Sequence, residues 1–410
     1  MGQLLSHPLT EKSITYNDYQ HRVSSNQLSN LVPRFYNCEG TMQGYRLTQE
    51  DAHLVLNEDD ILHVRFYNPF KLITEKLSLS VFGVFDGHGG EDCSNFISGG
   101  GSDPKNGLAK WIAYSFENHK YGAFKDVHLD SQADSKNVKR KHQRCFRTLQ
   151  GLITQILKDA FMLQDNELYR YFGNNSCGST AIVSVIINGE YIYTVNCGDS
   201  RCILSSKNNG VKTMSFDHKP QHIGELLRIN DNGGTVSLGR VGGVLALSRA
   251  FGDFQFKRGV PYTSGKNKSK LHRITSGNNN NTNGNNNLHN GNRNGTPAQE
   301  SQVTVEPDVL MHKIDYKRDE FLILACDGIW DVYNNKQLCK FVKYHLSAGV
   351  KLDGIVTKVL DHGIGQADSN TGIGFDNMTV IIVVLNKSGE SLSDWYTKMR
   401  IRLEREKGLV

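Results

Sequence analysis

Apolar residues along this chain gather in short runs, and three of those runs meet an acid at one end. Val81-Phe82-Gly83-Val84-Phe85 closes on Asp86-Gly87-His88-Gly89-Gly90. Phe321-Leu322-Ile323-Leu324-Ala325-Cys326 closes on Asp327-Gly328. Asp376-Asn377 stands directly before Met378-Thr379-Val380-Ile381-Ile382-Val383-Val384. Runs of this length and composition predict largely buried strands. A carboxylate at such a strand end is not ordinary core, because a buried charge must be paired or bound to a metal. A lone Asp-Gly would read as a tight turn; the repetition argues against three unrelated turns.

Other patterns predict the frame around these strands. Leu149, Leu152, Ile156, Ala160, Leu163 and Leu168 recur at helical spacing, predicting an amphipathic helix from Thr148 to Tyr171. Thr180 to Ile187 and Tyr191 to Val195 flank Asn188-Gly189, a strong hairpin signal. Residues 336 to 346 read as a further helix. Strands and helices in separate blocks predict an α+β fold with two packed sheets flanked by helices.

Strand ends on one side of a sheet converge in space. Acids collected there would make an oxygen-rich site suited to Mg²⁺ or Mn²⁺. Zinc fits less well, since the acids lack Cys or His partners at ligand spacing. Arg46-Leu-Thr-Gln-Glu50-Asp51, ahead of the first strand, adds a guanidinium and two more acids.

The ordered series resembles the metal-dependent protein Ser/Thr phosphatases of type 2C, the PPM family. It runs through Arg46 to Asp51, Asp86 to Gly90, Gly178-Ser-Thr-Ala181, Asn196-Cys-Gly-Asp-Ser-Arg201 and Asp217-His-Lys-Pro220. It continues through Leu247 to Asp253, Ala325-Cys-Asp-Gly-Ile-Trp-Asp331 and Asp376-Asn-Met-Thr379. The wording is most similar to fungal members that begin Met-Gly-Gln. The resemblance implies a central β-sandwich of two antiparallel sheets with helices on both outer sides, in four layers. It implies hydrolysis of phosphoserine and phosphothreonine on proteins by a water bridging two Mn²⁺ or Mg²⁺ ions. Asp86 would bridge the ions, with the Gly87 carbonyl, Glu50, Asp327 and Asp376 as further ligands. Arg46 would bind the phosphate, since its planar fork matches two phosphate oxygens at once. His88 would protonate the departing serine or threonine oxygen. Asp51 would hold the attacking water or only brace the Arg46 loop. The family's third, weaker ion uses an acid shortly before the Gly-Ser-Thr block; Asn175 stands there, and a neutral amide is a poorer ligand, which leaves that ion open. Asp199 and Arg201 read as a strand-turn tie, Asp331 as a cap at a helix start, and Arg249 and Asp253 as loop-ordering residues. A catalytically weak relative serving as a phosphoprotein-binding module is the alternative; the presence of all these residues disfavours it.

Composition narrows the rest. The net charge is +5 across 410 residues with Lys and Arg dispersed, which does not favour a nucleic-acid partner. The basic cluster from 136 to 141 reads as a solvated insertion. No run approaches the ~20 apolar residues of a spanning helix. Eight cysteines without paired CxxC spacing fit a reducing compartment. Met1-Gly2 with Ser6 matches a myristoylation pattern, and one such chain would hold a membrane weakly. The expected setting is therefore cytoplasmic, partly membrane-associated or nuclear, and the expected state a monomer. Residues 1–31 read as a leader, loose between Thr10 and Leu31, and 32–390 as the catalytic domain. Within it, 99–145 reads as a variable insertion. The stretch 258–302 reads as a second one, its Asn/Gly-rich core from 277 to 295 unable to fold alone. Residues 391–410 read as a short tail able to form one charged helix.

Overall fold

A strand covered on both faces must be apolar at every position, and the long strand Ile73–Phe85 shows how this chain uses that rule. Phe82 and Val84 face the opposing sheet, while Val81 and Phe85 face a layer of helices. The same division holds in Ala181–Ile187, where Ile182 and Ile186 turn inward and Val183 and Val185 turn to the helices. The computed structural model describes residues 4–18, 35–100, 103–124, 144–257, 301–387 and 390–407.

Two antiparallel six-stranded sheets pack face to face. The first runs in the order Leu4–Asn17, Asn37–Arg46, Met378–Val384, Asp319–Ala325, Arg201–Ser206, Gly210–Thr213. The second runs Asp308–Lys313, Tyr191–Cys197, Ala181–Ile187, Ile73–Phe85, Ala52–Leu56, with Leu62–Asn68 paired to the early part of Ile73–Phe85. The Ala181–Ile187 hairpin closes through Asn188 and Gly189, both at positive φ as its tight turn requires. Helices Asn335–Ser347, Leu352–Gly365 and Leu392–Glu406 cover the first sheet; Asp92–Ser98, Leu108–Asn118 and Leu149–Phe172 cover the second. Their starts are specified locally. Thr148 Oγ1 accepts from the Gly151 N–H, and Asn334 and Gln337 form a reciprocal capping box.

Three sequence-based boundaries shift. The loose leader begins instead with the edge strand Leu4–Asn17, whose backbone pairs with Asn37–Arg46 through two register shifts. Its polar composition hid it, because an edge strand half open to solvent has no continuous apolar face. The variable stretch 99–145 contains the helix Leu108–Asn118, which buries Leu108, Ala109, Ile112 and Phe116. The tail is a structural layer. Trp395, Met399 and Leu403 pack into the first core, and Arg402 reaches the buried Glu320 at 2.5 Å. Lys343 holds the same carboxylate at 2.9 Å and Ser205 Oγ donates to it at 2.6 Å, so one buried charge joins sheet, helix and tail. Trp395→Ala is therefore expected to cost about 3–5 kcal/mol of stability, read as a lower urea midpoint. Residues 19–34, the basic cluster, the Asn/Gly-rich stretch and the first three residues lie outside the described residues.

Candidate active site

Strands Ile73–Phe85 and Asp319–Ala325 belong to opposite sheets, and the residues just beyond their ends come together. Asp86 follows one strand and Asp327 lies two residues past the other. Asp86 is fixed from its backbone: its N–H donates to Thr180 Oγ1 at 3.1 Å, and its carbonyl accepts from the Thr180 N–H at 2.9 Å. Thr180 Oγ1 also shares a hydrogen bond with Ser200 Oγ at 2.8 Å. That contact brings the neighbouring Asp199 to the same end of the sandwich.

Two ligand groups result, and Asp86 belongs to both. Carboxylate oxygens of Asp86, Asp199 and Asp327 lie within 4.8 Å of one another, as do ligand atoms of Asp51, Asp86 and Cys326. Burial, and then the charges of Asp327, Asp51, Asp376 and Asp199, push the Asp86 carboxyl well above the usual range. Burial pushes Asp327 the same way, aided by Asp199, Asp376 and Asp331 and opposed by Lys219. Burial raises Asp51 to about 7, although Thr379 Oγ1 donates to it at 2.7 Å. Like charges this close and this buried call for positive charge between them.

The donor chemistry bears on which cation fits. Burial and the adjoining acids push the Cys326 thiol well above its ordinary range in the metal-free protein. Its Sγ donates to the Asn377 carbonyl at 3.4 Å and accepts from the Thr379 N–H at 3.1 Å. Apart from Cys326 the two groups offer carboxylate oxygens, the ligands Mg²⁺ and Mn²⁺ favour.

The other residues singled out by sequence surround this centre. Arg46 Nη2 donates to Asp376 Oδ2 at 2.5 Å, with both side chains partly exposed. Burial raises the Asp376 carboxyl, and Arg46 works against the rise. Glu50 stands outside both ligand groups. Its carboxylate accepts from the Thr48 hydroxyl at 3.0 Å, and its N–H donates to Asn377 Oδ1 at 3.0 Å. Gly87 makes room for that loop: a Cβ on it would lie 2.2 Å from the Glu50 carbonyl oxygen. Asn377 Nδ2 donates to the carbonyls of Gln43 and Thr48, pinning the loop that carries Arg46 and Glu50.

His88 has a dedicated partner. Its Nε2 lies 2.7 Å from Asp253 Oδ2, and Asp253 is 1% exposed with φ at +48°. Non-glycine residues seldom hold that backbone without a functional or packing reason. Burial works against the imidazolium, but the Asp253 carboxylate outweighs it and raises the His88 pKa. Gly178 permits the pair, since a Cβ there would meet Asp253 Oδ2 at 2.2 Å and His88 Nε2 at 2.5 Å.

Two site residues escaped sequence reasoning. Asp199 joins the carboxylate group and pairs with Lys219, where a strand-turn tie was expected. It obeys the same rule as Asp86, an acid just past the buried strand Tyr191–Cys197, and Gly198 alone separates it from that strand. Asn175 is exposed just past the end of helix Leu149–Phe172. Asp253 was read as ordering a loop, and its pairing with His88 was not foreseen, because the two lie 165 positions apart. Asp331 closes the short helix Asp327–Trp330 rather than starting one.

Behind Asp199 stands an ion network. Arg249 Nη2 donates to Glu225 at 2.7 Å and its Nη1 to Asp308 at 3.0 Å. His218 Nε2 lies 3.1 Å from Asp308 Oδ2, and its Nδ1 accepts from the Gly198 N–H at 3.1 Å. Burial opposes the Glu225 charge, but its bonds to Arg249 prevail and bring its pKa to about 2. A depressed carboxyl stabilises the fold above its ordinary value of 4.5 and loses that contribution as pH falls towards 2. Glu225→Gln should therefore be less stable than the parent at pH 6, with the gap in urea midpoint narrowing steadily below pH 4.5.

A two-sheet sandwich between helix layers, with acids gathered at one end, suits a site for divalent cations, and comparison with known proteins shows the family. A family model described as Protein phosphatase 2C matches residues 107–372. A Saccharomyces cerevisiae protein described as Protein phosphatase 2C homolog 4 is 64% identical over 422 aligned residues, covering 100% of both chains. Protein phosphatase 2C homolog 2 of Schizosaccharomyces pombe is 32% identical over 90% of this chain and 77% of its own. A phosphatase structure from Toxoplasma gondii shares the fold, with a TM-score of 0.55, 21% identity, and coverage of 91% of this chain and 95% of that one. The chain belongs to the protein phosphatase 2C family and is a metal-dependent protein serine/threonine phosphatase.

Proposed function

We propose that this site removes phosphate from serine and threonine side chains of phosphoproteins with a pair of Mn²⁺ or Mg²⁺ ions. The observation that carries the reading is that Asp86 belongs to two groups of potential ligand atoms, one with Asp199 and Asp327 and one with Asp51 and Cys326. Asp86, Asp327 and Asp376 would hold the ions, with Asp199, Glu50 and the Gly87 carbonyl as further oxygen donors. When bound, the ions supply the positive charge that acidifies water and offsets phosphate charge.

The chain's own residues do the rest. Arg46 sits at the site's edge on Asp376, where it can turn its fork to two phosphate oxygens. Asp51, brought to about 7 by burial, can accept a proton from water near neutral pH. His88, whose pKa the Asp253 carboxylate raises, would give its proton to the serine or threonine oxygen as the P–O bond breaks. The same reading takes the enzyme as a monomer of the cytoplasm, with acylation at Gly2 as a weak tether. Phosphate release from a phosphothreonine peptide tests it. Release should vanish in EDTA and return with Mn²⁺ or Mg²⁺; release that persists in EDTA rejects the mechanism.

A further inference from the structure

Two cysteines from distant parts of the chain meet beside the loop that carries His88. Cys93 lies in helix Asp92–Ser98, and Cys177 stands just before the short strand Gly178–Ser179. Their Sγ atoms are 2.7 Å apart although 84 positions separate the residues. Both are free thiols and both are buried. Each has an exposed neighbour, Asp92 on one side and Ser176 on the other, so the pair lies just under the surface. Cysteine side chains this close need little backbone movement to be bridged. We propose that Cys93 and Cys177 form a modification site, a thiol pair that a peroxide converts reversibly to a disulfide.

The two thiols divide the work of oxidation. Burial pushes both up, so neither is a fast thiolate by itself. The hydrogen bond between them acts in opposite senses, lowering Cys177 and raising Cys93. Cys177 is thus the better nucleophile and attacks the peroxide, giving a sulfenic acid and one water. The Cys93 sulfur then attacks that sulfur: the S–S bond forms, the S–O bond breaks, and the oxygen leaves as a second water with the Cys93 proton. Two thiols and one hydrogen peroxide give one disulfide and two waters.

The strand that Cys177 leads into is the middle one of three. Gly87–His88 pairs with one edge of it and Phe251–Gly252 with the other. The Cys177 carbonyl accepts from the Asp253 N–H at 3.0 Å. A Cβ on Gly89 would lie 3.3 Å from the Cys177 Cα, and one on Gly252 would lie 3.1 Å from Cys93 Sγ, so both flanking segments pack against the pair. Bonded sulfurs stand about 2 Å apart. Closure would therefore draw helix Asp92–Ser98 and the middle strand together and shift the seat of His88 against Asp253. This consequence for catalysis rests on His88 as the proton donor; the disulfide itself does not.

Full-length protein treated with hydrogen peroxide, desalted, digested without reductant and mapped by mass spectrometry tests the site apart from catalysis. A peptide joining Cys93 to Cys177 should appear, and dithiothreitol should release its halves. With Mn²⁺ present, the oxidised protein should hydrolyse a phosphothreonine peptide about fivefold more slowly or worse, with a much smaller loss on p-nitrophenyl phosphate. Dithiothreitol should restore the rate. Cys93→Ser and Cys177→Ala should keep their activity through the same treatment. No joined peptide, or a different cysteine pairing, overturns the site. A joined peptide with unchanged hydrolysis, or with equal losses on both substrates, overturns its link to His88. Should His88→Gln match the parent on the peptide, the proton-donor reading fails, and the joined peptide still decides the site.

Discussion

Asp327→Asn is expected to reduce phosphothreonine hydrolysis by about 10³-fold or more, which is about 4 kcal/mol of barrier. The same variant should melt at a higher temperature than the parent in EDTA. Both outcomes follow from one arrangement. Asp327 is buried beside Asp86 and Asp199, with Asp376 and Asp331 adding to the negative charge it feels. Without cations, that repulsion weighs against the fold, and a neutral amide of nearly the same shape relieves it. With cations, the lost carboxylate removes part of the ion's cage. Parent protein should therefore gain far more thermal stability from Mn²⁺ than the variant does. A variant both inactive and destabilised in EDTA would point to a structural role for Asp327 instead.

His88→Gln carries the second largest expected effect, about 10²–10⁴-fold on a phosphothreonine peptide. The loss should shrink greatly on p-nitrophenyl phosphate, whose leaving oxygen needs no proton. A general acid works below its own pKa, so activity falls as pH rises through that value. Asp253 raises the His88 pKa from 2.7 Å away. In Asp253→Asn the imidazole should lose its proton earlier, moving the basic limb of the pH–rate profile to lower pH. Equal losses on both substrates with an unmoved basic limb would remove His88 from proton donation.

The sandwich was legible because its central strands are buried on both faces, so Val81 to Phe85 and Phe321 to Cys326 read as unbroken apolar runs. The edge strand Leu4–Asn17 and the helix Leu108–Asn118 were not, the first for want of an apolar face and the second for its place within a charged, glycine-rich stretch. In the site, an acid just beyond a buried strand was the productive signal. It pointed to Asp86 and Asp327, which share a carboxylate group with Asp199, an acid that obeys the same rule one glycine later; Asp376, before its strand, stands outside both groups and pairs with Arg46. The role of Asp253 could not be seen that way, because it lies in what the fold brings against it, a distant histidine.

Calorimetric titration of Mn²⁺ into metal-free parent protein and into Asp86→Asn tests the central claim most directly. If Asp86 is shared between two ligand groups, the parent binds a pair of ions and the single substitution removes tight binding of both. Undiminished binding in Asp86→Asn would contradict the account.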